Sequence, residues 1–177
     1  MTIASAMLMC CLSLSSRAQS LNGEDIKAQF VKDGERAKAY TLEYLNAVPA
    51  DKYSFRPTDS IRSFAEQMVH LASSNIFLMG TATGQTIDGL GTDYEGKLIS
   101  KSKDSVIFYV LKSYDFSIRS IKFLNPEKFG GMVDPARIRD TRLTYLLKSF
   151  EHQSHHRAQT TIYIRLPGLK PPPEELF

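Results

Sequence analysis

The sequence predicts an all-α protein, a four-helix bundle with a long connection between helices 2 and 3. Apolar residues recur at helical spacing through four segments, and proline or glycine punctuates the stretches between them. The chain has 177 residues, of which 42% are apolar and 23% charged. These values are typical of one globular domain with a substantial core. We therefore expect residues 19–177 to form a single helical domain.

The first two helices are predicted from apolar stripes and from the residues that end them. The first is expected at residues 24–48, where Pro49 ends it. The second is expected at residues 61–79, where Gly80 ends it. Three residues before the second helix are candidate N-caps because their side chains can accept a backbone hydrogen bond: Thr58, Asp59 and Ser60.

The long connection and the last two helices follow. Residues 81–101 contain four glycines and are predicted to form a loop. This loop is not a phosphate-binding loop, because no Gly-Lys-Ser/Thr sequence follows the glycines. The third helix is expected at residues 104–123 and the fourth at residues 139–166. Pro167 and Gly168 end the fourth helix.

The N-terminal segment, residues 1–18, is predicted to be a signal peptide. Its apolar stretch is too short to span a bilayer, and Ser16 and Ala18 occupy the small-residue positions of a signal-peptidase site. We expect cleavage after Ala18, a periplasmic or secreted protein, and no stable membrane span after signal removal. The alternative is an uncleaved N-terminal tail, since no Lys or Arg precedes Arg17.

Charge and cysteine content narrow the range of ligands. The net charge is +3 without a long basic run, so no nucleic-acid partner is expected. Both cysteines, Cys10 and Cys11, lie inside the predicted signal peptide. The mature chain would then have no thiolate, and any metal would depend on nitrogen and oxygen ligands.

Histidines provide the clearest functional signal in the sequence. Three of the four histidines lie within residues 151–159. His152 and His156 are four residues apart, so on a helix both imidazoles project from one face and can reach one metal ion. A third histidine from another helix, His70, would complete a three-nitrogen site with an open position. An open position is typical of a reactive metal centre rather than a closed structural one.

Other polar residues of the fourth helix are candidates for supporting roles. Residues spaced alternately three and four apart share one narrow face of this helix, the heptad seam, and here they are mostly polar. In a helix that only packs into a bundle, this seam would carry Leu, Ile or Val. Gln159 and Tyr163 continue the seam beyond the histidines and are candidates for orienting a water or substrate. The alternative is an ordinary buried polar pair. His155 lies off the seam, and we expect it behind the ligands or on the surface.

The sequence resembles the DinB-like (DinB/YfiT) proteins. The likeness is carried by YSFRPTDSIRSFAEQMVHLA at residues 53–72, by HQSHHRAQTTIYIRLPGLKPP at residues 152–172, and by the order of four helices with a long second connection. Ala158 stands where the family often has glycine. The family pattern, a helix-2 histidine plus H-x-x-x-H-R-x-Q and Tyr-x-Arg, falls on seven residues: His70, His152, His156, Arg157, Gln159, Tyr163 and Arg165.

The resemblance implies a four-helix bundle with a three-histidine metal site, and some members are thiol-dependent transferases or isomerases. The expected cofactor is a divalent transition metal, Zn, Ni or Fe, which nitrogen ligands do not distinguish. We expect an exported metal-dependent transferase or hydrolase with a small-molecule substrate. One alternative is a non-catalytic bundle that binds metal or a small ligand, in a homodimer. The other alternative is a metal-free bundle in which the three histidines lie apart.

Overall fold

The computed structural model describes residues 22–87, 102–133 and 138–177. It contains four helices, which confirms the all-α prediction: α1 (Gly23–Ala47), α2 (Phe64–Thr83), α3 (Lys103–Phe123) and α4 (Arg142–Arg165). Two short 3-10 turns, Ala50–Lys52 and Pro126–Lys128, and two short strands complete the order of elements. The predicted signal peptide and most of the glycine-rich connection, from residue 88 to residue 101, lie outside the described residues.

The four helices enclose one core. Helix α2 packs along both α3 and α4, whereas α1 packs along α3 and, over a shorter length, along α4. Helices α1 and α2 therefore occupy diagonally opposite corners of the bundle. Within the described residues, no helix combines the length and apolar character needed to cross a membrane. Each helix contributes apolar side chains that are fully buried, among them Leu45, Met68, Leu71, Val110, Leu146 and Ile164.

Helix α2 begins and ends later than the sequence predicts. Its N-cap is Ser63, which forms a capping box with Glu66, so the expectation of a cap at residues 58–60 was wrong. The preceding connector makes backbone hydrogen bonds to the first helical residues: Phe64 N donates to the carbonyl of Phe55 at 3.0 Å. This contact holds the connector against the helix start and keeps residues 58–62 outside the helix.

Gly80 does not end α2, which continues to Thr83. Ala82 is fully buried, and its carbonyl accepts a 2.5 Å hydrogen bond from the Arg142 guanidinium, so tertiary contacts favour the additional turn. These contacts offset the cost of a glycine inside a helix, about 1 kcal/mol. The residue that ends the helix is Gly84, in the left-handed region at φ +75°.

Helix α4 begins at Arg142, not at residue 139, because the residues before it form a small antiparallel ladder. Strand β1 (Met132–Val133) pairs with strand β2 (Asp140–Thr141), a feature that the sequence pattern did not predict. Thr141 then caps α4 through its side chain.

The left-handed conformation of Gly84 predicts that adding a side chain at this position lowers the stability of the protein. Gly84→Ala should lower the free energy of unfolding by about 1–2 kcal/mol, because a Cβ disfavours this conformation although no described atom lies within 4 Å of it. Gly130→Ala is the matched control, with equal space and no positive φ, and should change stability by less than about 0.5 kcal/mol. Urea unfolding measures both values. Equal effects at the two positions would contradict this account.

Candidate metal centre

The packing of α2 against α4 brings three histidines together. His70 comes from α2, and His152 and His156 lie one turn apart on α4. One ring nitrogen of each histidine can be chosen so that all three lie within 4.8 Å of one another. The ring centroids are 4.2 Å apart for His152 and His156, 4.5 Å for His70 and His156, and 5.2 Å for His70 and His152. The three residues predicted as metal ligands thus form one cluster.

The spacing of the nitrogens suits a transition metal. The Nε2 atoms of His152 and His156 are 3.1 Å apart. Two nitrogens bound at 2.0–2.1 Å in a tetrahedral site would lie about 3.3 Å apart, so little movement is needed to reach that geometry. The donors are all imidazole nitrogens, which suit Zn, Ni, Cu or Fe better than Mg or Ca.

His156 is held in its neutral form. Its side chain is buried, with 8% of its surface exposed. Burial is the main cause that lowers the pKa of His156 from 6.5 to about 3, and the neighbouring His152 and His70 add to the effect when they are protonated. A neutral imidazole has a free lone pair on one of its two ring nitrogens, so His156 needs no net loss of a proton near neutral pH before it can bind a metal.

Two glutamines form a hydrogen-bonded pair next to His156, and sequence reasoning identified only one of them. Gln67, on α2, is 5% exposed, and its Nε2 lies 2.8 Å from Nδ1 of His156. The same Nε2 donates to Oε1 of Gln159, which is exposed on α4. Gln159 therefore contacts the cluster through Gln67. The one sequence signal for Gln67 is its position three residues before His70, on the same face of α2.

Tyr163 and Arg157 serve the packing of the helices. The hydroxyl of Tyr163 donates to the backbone carbonyl of Arg62 at 2.8 Å, just before α2 begins. Arg157 is 7% exposed; its guanidinium lies 4.7 Å from the ring centre of Tyr40 and donates to the hydroxyl of Thr41 at 3.2 Å. Both side chains thus join α4 to other parts of the bundle.

His155 lies outside the cluster and faces a cleft. It is exposed, its ring centre is 4.9 Å from that of His156, and it does not belong to the histidine cluster found among the described residues. Together with His152 it lines a cleft of about 480 Å³. The remaining walls of the cleft come from α2, from β2 and the residues before it, and from the first turns of α4: Leu78, Ile138, Asp140, Thr144, Tyr145, Lys148 and Glu151.

The low pKa of His156 predicts how stability depends on pH. In protein stripped of metal with a chelator, the unfolded chain takes up a proton at this histidine near 6.5, and the folded chain only near 3. The unfolded state therefore binds more protons in this interval, so the free energy of unfolding decreases as pH falls from about 6.5. Urea unfolding between about pH 7 and about pH 4 should show that the free energy of unfolding decreases more steeply for wild type than for His156→Gln. Equal slopes would contradict a buried neutral His156.

Comparisons with known proteins agree with this fold. The family model of the DinB superfamily matches residues 34–160, which contain all three clustered histidines. None of the curated proteins is a significant match.

Two crystal structures of DinB-like proteins share the fold. The protein from Bacillus cereus ATCC 10987 has a TM-score of 0.72 at 17% identity and covers 84% of this chain and 97% of its own. The protein from Bacillus subtilis has a TM-score of 0.65 at 18% identity and covers 82% and 96%. The chain belongs to the DinB superfamily.

Proposed function

We propose that this DinB protein is exported and binds one divalent transition metal, Zn, Ni or Fe, through His70, His152 and His156. The observation that carries the proposal is the clustering of three histidine nitrogens within 4.8 Å, from two helices that pack together. Three protein ligands leave one position open for a water or a substrate. We further propose that the protein is a metal-dependent transferase or hydrolase acting on a small molecule.

The cleft beside His152 supports an enzyme rather than a non-catalytic binding protein. The three histidines would hold a divalent ion, and such an ion would supply Lewis-acid chemistry that polarises a substrate and lowers the pKa of a water or thiol beside it. The apolar side chains of Leu78 and Ile138 would bind the apolar part of a substrate next to this centre. His155 lines the same cleft and would be the candidate to accept or donate a proton.

Export bears on which reaction is favoured. Some relatives in the resembled family use low-molecular-weight thiols, which are scarce outside the cytoplasm. Hydrolysis needs only water as the second reactant, so hydrolysis is the reaction we favour for an exported protein. Assays of ester and amide hydrolysis, with thiol transfer run in parallel, distinguish the two reactions.

Metal content tests the ligand assignment. Protein purified after expression of the full chain should contain about one transition metal per chain by elemental mass spectrometry. His156→Ala should lose the metal, because the two remaining histidines hold it weakly. His155→Ala is the matched control and should retain it, since His155 lies outside the cluster. No metal in wild type after addition of Zn or Ni would contradict the proposal, and equal loss in both variants would contradict the ligand assignment.

Processing of the N-terminus tests export. In a Gram-negative host, the product recovered from the periplasm should begin at Gln19. Ala18→Arg should block cleavage, because signal peptidase requires a small residue at this position, whereas Ala18→Gly should be processed normally. N-terminal sequencing of the periplasmic and cytoplasmic fractions measures the outcome. A wild-type chain that stays in the cytoplasm with residues 1–18 attached would contradict export.

A further inference from the structure

We propose that Gln67, supported by Gln159, is a positioning residue that selects the tautomer of His156 and thereby controls whether its Nε2 can bind a metal. The inference deepens the proposed function, because it concerns how the same site is prepared for metal. It depends on three contacts that run from the exposed face of α4 to the histidine cluster, and on the hydrogen-bonding chemistry of amides and imidazoles.

The three contacts form a continuous chain. The Nε2 of Gln67 donates to Oε1 of Gln159 and also lies 2.8 Å from Nδ1 of His156. On the other side of the same imidazole, Nε2 of His156 lies 3.1 Å from Nε2 of His152. Gln67 and His156 are 5% and 8% exposed, so bulk water has little access to replace these contacts.

Hydrogen-bonding rules assign one tautomer to this arrangement. An amide nitrogen only donates, so when it faces Nδ1 of His156 that atom carries no proton. The neutral imidazole then has its proton on Nε2, where it donates to Nε2 of His152. In this tautomer the Nε2 of His156 has no lone pair available for a metal.

Ligation through Nε2 requires the opposite arrangement. The proton must reside on Nδ1, and the group that faces Nδ1 must accept it. A half-turn of the Gln67 amide brings its oxygen to this place, and a matching turn of Gln159 lets its nitrogen donate to that oxygen. One proton leaves Nε2 and one is taken up at Nδ1, so the charge of the imidazole is unchanged. Gln159 is exposed and can turn without repacking the core.

Zinc affinity, measured by competition with a chelator, is the first part of the test. Gln67→Met keeps the volume but removes the hydrogen bond, and should weaken zinc binding by about 10- to 100-fold, the usual cost of losing such a partner. Gln67→Glu presents only acceptors to Nδ1 and should bind zinc at least as tightly as wild type. Gln153→Met is the matched control, because Gln153 is a glutamine 4% exposed that lines a different cavity, and it should bind zinc like wild type.

Long-range proton–nitrogen NMR spectra of His156 form the second part. Wild type treated with a chelator should show the proton on Nε2, and zinc should move it to Nδ1. Gln67→Glu should place the proton on Nδ1 even without zinc, a result that a purely structural role of Gln67 would not produce.

The outcomes separate this inference from the proposed function. Zinc binding by Gln67→Met equal to wild type, or a Gln67→Glu variant whose His156 tautomer is unchanged, would overturn the role of Gln67. If wild type binds no zinc, the proposed metal function fails, and the tautomer of chelator-treated Gln67→Glu still decides whether Gln67 controls His156.

Discussion

The packing of α2 against α4 is the interaction on which the candidate site depends. The two helices run antiparallel and are joined at both ends. At one end the guanidinium of Arg142 donates to the carbonyl of Ala82, and at the other the hydroxyl of Tyr163 donates to the carbonyl of Arg62. The histidine cluster lies between these two contacts. A shift of one helix along the other would break both contacts and would also separate His70 from its partners on α4.

Burial of polar side chains at this interface has a structural cost that is offset by hydrogen bonds. Gln67 and His156 lie where apolar residues would pack more favourably, and each finds its partner in the other. The same burial that disfavours a charged imidazole keeps His156 neutral, with its pKa lowered to about 3. The desolvation that makes this position unfavourable for a charge therefore makes it favourable for a metal ligand.

Sequence reasoning predicted the parts of this site that follow from spacing along one helix. Helical geometry predicted that His152 and His156 project from one face of α4, and the family resemblance supported His70 as the third member of the cluster. Gln67 was missed because its contact with His156 depends on which helix it faces, and a single glutamine in α2 carries no periodic signal. The end of α2 was misplaced for a related reason: contacts to Ala82 decide it, and local glycine propensity at Gly80 does not.

The two sides of the histidine cluster differ, and this difference indicates the direction of access. Buried Gln67 lies against Nδ1 of His156, whereas half-buried His152 lines the cleft. A molecule that enters the cleft therefore meets His152 and His155 before it reaches His156. The side of the cluster that is open to a small molecule is therefore the side of His152, the one member of the cluster that lines the cleft. His152 belongs to both the histidine cluster and the wall of the cleft, whereas His155 belongs to the wall alone, so the cluster and the cleft meet at a single side chain of α4.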